Sequence, residues 1–347
     1  MPEPELLIDN FDFDVPEALI AKTPLKQRDH ARLLYCDRDN TLRNQHFYDL
    51  PELIPSDAIL VFNNSKVIKS RLLGQCHGRA VEIFLLEETA QSDTWICLAK
   101  PGKKLKIGDR VYFSEVFYGE IIEKIAEKLT VYLCSQTLLV EDAIEREGYV
   151  PIPPYIQSGH ETTDSFREEY QSIFATKKGA VAAPTASLHF TQDLIKRLHG
   201  RGIQTLEVTL HVGWGTFQPI QVKDISQHRM HAEHYEISNE VASHLNQALT
   251  EKRPIIAVGS TVARTLETAY RNGKICAGMG KSSLFIYPGY TCSVIRGIIT
   301  NFHLPKSSLF VLVSALRSSE FMKKTYTYAI EQNYRFYSFG DGMYLPL

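Results

Sequence analysis

The groups in this sequence best suited to chemistry are histidines set into loops of small residues. His189 closes the run Gly179-Ala-Val-Ala-Ala-Pro-Thr-Ala-Ser-Leu-His-Phe190, and His211 opens His211-Val-Gly213-Trp214-Gly215-Thr216-Phe217. Small residues let backbone approach a ligand closely, and histidine changes charge near neutral pH. The pairing suits proton transfer on a small polar molecule. Each histidine also admits a plainer reading, a hydrogen bond at the end of a strand or loop, and a lone Gly-x-Gly is weak evidence for a nucleotide. His228, His231, Glu233 and His234 place three imidazoles and a carboxylate within seven positions. That composition admits a metal-dependent hydrolase as the alternative function. The spacing is not His-Glu-x-x-His and no helix is evident there, so acid/base work or a polar lining fits better and no metal is expected. The sequence has no Gly-x-Ser-x-Gly elbow and no cysteine beside a promising histidine, so the common nucleophile arrangements lack support.

These residues need elements to hold them. Thr205–Val212 alternates, with Leu206, Val208, Leu210 and Val212 on one face and Thr205, Glu207, Thr209 and His211 on the other. Ala58–Phe62 is a wholly apolar run ending in Asn63-Asn64-Ser65-Lys66, as expected of a buried strand whose C-terminal end turns polar. Pro254–Val258 reads as another, passing through Gly259-Ser260-Thr261 into a helix over 262–272, a turn that offers N–H groups to an anion. Further strands are expected at Phe11–Val15, Leu33–Tyr35, Leu284–Tyr287 and Val294–Ile299. Further helices are expected at Thr191–His199, Ser238–Thr250, Ser307–Leu316 and Ser318–Gln332. Ligands collect at the C-terminal ends of strands in open α/β sheets.

Between about Ser70 and Val140 the pattern changes to short strands separated by turns, the signature of a small β-barrel or sandwich. The expected organisation is a discontinuous α/β domain, 1–68 plus 150–347, carrying an inserted barrel-like all-β domain at 69–149. Lys100, Lys103, Lys104, Lys106 and Arg110 lie on one loop of the insert against a single acid. That loop is either a solvated hairpin or a phosphate contact. Pro151–Ile156 reads as a stiff connector.

With 347 residues, 44% hydrophobic and 22% charged, the chain has the composition of a globular protein. Its net charge of −2 argues against a strongly basic nucleic-acid binder, so any such partner needs a local basic face. The six cysteines form no Cys-x-x-Cys pair, the N-terminal residues lack the features of a signal peptide, and Leu309–Val313 is too short to span a bilayer. A cytoplasmic location is expected, with no membrane partner.

Taken together, the ordered motifs resemble the S-adenosylmethionine:tRNA ribosyltransferase-isomerase family of queuosine biosynthesis over almost the whole chain. They are Arg28-Asp29-x-x-Arg32-Leu33-Leu34, Val61-Phe62-Asn63, Pro153–Ile156, Gly179–Ala186, Leu188–Phe190, Thr209–Gly213, Gly215–Phe217, Met230-His231-x-Glu233, Ala257–Gly259, Arg264-x-x-Glu267, Phe285–Gly289, Thr300–Pro305 and Tyr334-Arg335-Phe336. The sequence departs from that pattern at Ser187 (Gly in the family), Asn64–Lys66, Ser260, Arg296 (an acid) and 315–318, and His234 stands where Tyr is usual.

The resemblance implies a large α/β domain with an inserted barrel. It implies transfer and isomerisation of the ribosyl part of S-adenosylmethionine onto the aminomethyl group of a 7-deazaguanine base at the wobble position of tRNAs with GUN anticodons. Epoxyqueuosine forms, and adenine and methionine leave. S-adenosylmethionine is then a co-substrate, no prosthetic group is needed, and the enzyme is expected to be a monomer. Under this reading His189, His211, His231 and Glu233 handle protons, with His211 or His231 as the leading base. Arg32, Asn63, Tyr170, Thr185, Gly213, Trp214, Gly215, Thr216, Gly259, Thr261, Arg264, Asn301 and His303 line the substrate, Arg264 and the Gly259–Thr261 turn taking the methionine carboxylate. Lys100, Lys103, Lys104, Lys106, Lys177, Lys178 and Arg335 are the expected tRNA contacts.

Overall fold

The computed structural model describes residues 6–151, 168–213 and 219–347. The expectations on the 152–156 connector and on Trp214, Gly215, Thr216 and Phe217 lie outside them. Two compact units are present. One comprises Met1–Lys66, Glu169–Lys177 and Ala183–Leu347, and the other Val67–Glu168 and Lys178–Ala182.

The first unit is built on a nine-stranded mixed sheet. Its strands are β1 (Arg32–Cys36), β2 (Leu42–His46), β3 (Ile59–Asn63), β4 (Gln204–Leu210), β5 (Glu233–Ile237), β6 (Ile255–Val258), β7 (Gly278–Ser282), β8 (Gly297–Asn301) and β9 (Gly342–Pro346), in the order β7-β5-β4-β3-β6-β8-β9-β1-β2. The middle four, β4, β3, β6 and β8, are parallel. Their apolar runs follow from burial on both faces; every residue of β3, β6 and β8 is buried.

Helices α1 (Gln192–Gly200), α2 (Asn239–Thr250), α3 (Ser260–Ala269), α4 (Ser308–Leu316) and α5 (Ser319–Glu331) accompany the sheet. Thr191, Ser238, Ser307 and Ser318 cap α1, α2, α4 and α5, each side chain accepting an N–H three residues on. Thr191 Oγ1 also donates to Asp29 at 2.9 Å. Thr191→Ala should therefore cost about 1 kcal/mol for the cap and about 1 kcal/mol more for the Asp29 bond, read from urea denaturation.

Register fixes which side chains share a face. Leu60 and Phe62 of β3 pack with Ile256, Val258 and Ile299, and with Leu194, Ile195 and Leu198 of α1. Glu207 pairs with Phe62, so Glu207, Thr209 and His211 point to that same face, here called the α1 face. Leu210 pairs with Tyr235, which sends Tyr235 and Glu233 to the opposite one.

The second unit contains a closed antiparallel barrel of strands Arg71–Cys76, Arg79–Glu88, Thr94–Lys100, Arg110–Tyr112, Phe117–Ile125 and Lys128–Ser135. Leu72, Ile83, Leu85, Val111, Phe117, Ile121 and Val131 fill it, with Ala143 and Ile144 of the helix Val140–Glu147 packed against them.

Several expected elements are displaced. Phe11–Val15 is no strand; a 3₁₀ turn at Ile8–Phe11 buries Phe11 instead. The strand expected at Leu284–Tyr287 lies earlier, at β7, where Gly278 and Gly280 masked the signal. The histidine-rich segment runs into a strand, β5, with alternating burial.

Candidate functional site

The C-terminal ends of β4, β3, β6 and β8 gather most of the expected residues on one sheet edge. Gly342 at the start of β9 pairs with Asn301 and with Leu33, which brings Arg32 and Asp341 to the same edge. On the α1 face, the single turn Thr185–His189 lies against the end of β8. Asn301 joins them, its Oδ1 accepting Thr185 Oγ1 at 2.9 Å and its Nδ2 lying 3.1 Å from His189 Nε2. Asn301 Nδ2 can only donate, so His189 Nε2 accepts and the ring proton sits on Nδ1, directed at the Arg28 carbonyl. Phe47 stacks on the ring at 4.2 Å. Burial, with help from Arg335 and Arg28, depresses the His189 pKa to about 3, so the imidazole is neutral at pH 7. Gly259, with φ +95°, turns β6 into α3 directly beside Ala186.

His211 lies one residue beyond β4 on this face. Its N–H donates to the His234 carbonyl at 2.9 Å, and its half-buried ring is held below the usual histidine pKa, by burial first and by His234 second. The Nδ1 atom is closed off from solvent and has no hydrogen-bond partner among the described residues. A buried polar atom without a partner costs about 1–3 kcal/mol, and such an atom calls for a functional account.

The opposite face holds a buried ion pair. Arg264 Nη1 lies 2.7 Å from Glu233 Oε2, and the two side chains are 2% and 3% exposed. Glu233 Oε1 accepts the Gly213 N–H at 3.0 Å, and Arg264 Nε donates to the Leu284 carbonyl at 3.0 Å. This bears on two expectations. Glu233 shares no face with His211 and has each oxygen engaged, an arrangement that suits an ion pair rather than proton transfer. Arg264 spends Nη1 and Nε on Glu233 and Leu284, while its Nη2 is buried with no hydrogen-bond partner among the described residues.

Other residues are held in structural roles. Asn63 is fully buried and staples β3 to β4, accepting the Leu210 N–H at 3.1 Å and donating to the Leu210 carbonyl at 2.9 Å. His303 is buried against Thr300 at 3.1 Å, with its pKa likewise depressed to about 3 by burial. Arg32 lies 3.8 Å over the Tyr334 ring and donates to the Gln332 carbonyl. Tyr170 is buried edge-on to Phe339. Thr261 sits in the first turn of α3, its carbonyl accepting Thr265 Oγ1 at 2.9 Å. His231 is exposed, two residues before β5.

His228, His231, Glu233 and His234 do not converge as metal ligands. His228 lies edge-on to Phe285 at 5.0 Å, Glu233 is buried and His234 is exposed, as strand alternation requires. Among the described residues, the one group of three whose ligand atoms lie within 4.8 Å of one another is Cys76, His77 and Asp109 in the barrel unit.

Of the expected tRNA contacts, Lys100, Lys103, Lys104, Lys106 and Lys177 are exposed, while Lys178 is paired with Glu141 and Arg335 with Asp341. Lys124 Nζ donates to the Gly102 and Leu105 carbonyls and holds the basic loop in shape. Two acids were given no role from the sequence, although Glu267 stands in a quoted motif. Asp341 accepts the backbone N–H groups of Arg32 and Arg335. Glu267 accepts those of Ser293, Val294 and Ile295. A buried acid facing several backbone donors leaves no sequence pattern to find. Two departures from the family pattern find partners. Arg296 folds back on the Ile295 and Ser293 carbonyls, and Arg317 donates to the carbonyls of Pro346 and Asp37. Ser187 Oγ is buried with no hydrogen-bond partner among the described residues.

The model of the queuosine biosynthesis protein family matches residues 8–345. An S-adenosylmethionine:tRNA ribosyltransferase-isomerase of Desulfitobacterium hafniense is 41% identical, with 97% of this chain and 98% of that protein covered. One of Gloeobacter violaceus is 44% identical over 98% and 96%. The crystal structure of an S-adenosylmethionine tRNA ribosyltransferase from Thermotoga maritima matches with a TM-score of 0.55 at 30% identity, covering 96% of this chain and 99% of that one.

Proposed function

The chain belongs to the queuosine biosynthesis protein family, and from that premise we propose how its α1-face residues carry out the reaction. It transfers and isomerises the ribosyl moiety of S-adenosylmethionine onto tRNA. The acceptor in this reading is the aminomethyl group of a 7-deazaguanine at the wobble position, and epoxyqueuosine, adenine and methionine are the products. The hydrolase alternative is dropped, because Glu233 is held in a buried ion pair, His228 lies against Phe285, and His231 and His234 are exposed.

The observation that carries the site assignment is the partnerless, water-excluded Nδ1 of a neutral His211 at the C-terminal sheet edge. The sulfonium acidifies the C5′ protons of the ribose, and a neutral imidazole in a shielded position is the group to remove one. His189, also neutral, is fixed by Asn301 and the Arg28 carbonyl, and through Asn301 it holds Thr185 at the same sheet edge. The wobble base must be unstacked to offer its amine. The proposed enzyme works in the cytoplasm as a monomer, with no prosthetic group. Among the described residues, no helix is long and apolar enough to cross a membrane.

The barrel's basic loop is the proposed phosphate contact. Lys103 and Lys104 are exposed and form no ion pair among the described residues. Reversing both to Glu should raise KM for tRNA by about tenfold and flatten its salt dependence, with KM for S-adenosylmethionine unchanged. Equal effects on both substrates would remove the loop from the proposal. The function itself is tested by mass analysis of tRNA bearing the aminomethyl-deazaguanine base after incubation with S-adenosylmethionine. The expected result is the ribosyl-derived mass increment, with adenine and methionine released only when that tRNA is present. Binding of either substrate without turnover would leave a binding module instead.

A further inference from the structure

Beyond the last strand pair, Leu210 with Tyr235, the chain is fastened to β5 twice more. The His211 N–H donates to the His234 carbonyl at 2.9 Å, and the Gly213 N–H donates to Glu233 Oε1 at 3.0 Å. The second fastening comes from a side chain, and that side chain is itself fixed. Arg264 grips Glu233 Oε2 at 2.7 Å, and Leu284 holds Arg264 at 3.0 Å. Arg264 and Glu233 are shut away from water, and a buried ion pair is weak evidence for stability as such. Its distinctive product here is a charged acceptor held rigidly under one peptide N–H, two residues from the imidazole whose Nδ1 lacks a partner.

We infer that Glu233 and Arg264 are positioning residues for ribosyl transfer: they clamp the Gly213 peptide and thereby set the direction of the His211 ring. The inference rests on the reading of His211 as the base, and it gives the pair a role without assigning either residue a proton. A charge-assisted N–H···O⁻ bond is stronger than a neutral one. The carboxylate therefore suits a loop start that must hold still while substrate enters from the other face. Without the clamp, the His211 ring gains freedom and water, and burial no longer holds its proton affinity down.

Three variants test this. Glu233→Ala removes the acceptor. Glu233→Leu with Arg264→Leu removes it without stranding a buried charge, and serves if the single variant does not fold. Glu233→Gln with Arg264→Gln keeps an acceptor oxygen under Gly213 while removing both charges. Hydrogen exchange of the peptide containing Gly213, in enzyme free of substrate, reads the clamp directly. The first two variants should lose about tenfold or more in protection there, and the Gln pair should keep most of it. Turnover should fall about 10–100-fold in the first two, with KM for S-adenosylmethionine within about threefold. The acid limb of their kcat profile should move up toward that of an ordinary histidine, while the Gln pair keeps the wild-type limb. A purely structural role would lower the active fraction and leave that limb in place. Wild-type exchange at Gly213, or an unmoved acid limb, in the first two variants overturns the proposal. Should His211→Ala turn over normally, the base reading fails, while the exchange data still decide whether the clamp exists.

Discussion

His211→Ala should lower turnover by about two to four orders of magnitude, the range for loss of a positioned general base, with S-adenosylmethionine affinity within about threefold. The expectation follows from what the ring does in the substrate-free protein. Its N–H anchor lies on the backbone, at the His234 carbonyl, so removing the imidazole leaves the strand end tied. The side chain supplies no structural hydrogen bond through Nδ1. Little stability should be lost, and a fall in kcat then reports chemistry. His211→Asn should be as slow as Ala, since an amide cannot take up a proton at neutral pH. In the wild type, burial and the neighbouring His234 hold the His211 pKa below its usual value. The acid limb of kcat should therefore lie below pH 6.5, and wild-type turnover in both variants would reject the assignment.

How far this site could be read from sequence depends on which feature carried the information. Alternation in Thr205–Val212 put His211 on the polar side of its strand, and the register agrees. The apolar run Ala58–Phe62 marked β3, because a strand covered on both faces must be apolar throughout. Glu233 was misread for a physical reason. The segment before it is rich in histidine, so composition suggested one cluster. In a strand, successive side chains leave on opposite faces, and β5 could not be recognised without knowing its partner β4. The same limit hid the role of Arg264. An arginine on an apolar helix face signals a buried charge, yet its counter-ion lies 31 positions away in sequence. Asn63 shows the converse, since its motif marked the C-terminal end of β3 while its amide turned out to be spent on Leu210.

Acid should destabilise this fold steeply, through one histidine that takes no part in catalysis as well as through one beside the site. His189 and His303 are buried and neutral, each with its pKa depressed to about 3 by burial. In the unfolded chain each titrates near pH 6.5. Between those values the unfolded state binds a proton that the native state refuses. The stability each contributes is thus fully present above about pH 6.5 and is lost as pH falls toward 3. Each group costs about 1.4 kcal/mol per pH unit in that window, so the pair removes roughly 4 kcal/mol between pH 6.5 and 5. For a fold whose total stability is on the order of 5–15 kcal/mol, that is a large fraction. Urea denaturation at stepped pH should show this slope in the wild type. His303→Gln keeps a partner for Thr300 but cannot titrate, and should reduce the slope by about 1.4 kcal/mol per pH unit. An unchanged slope in that variant would mean that His303 is protonated in the native protein, and its burial against Thr300 and Tyr326 would need another explanation.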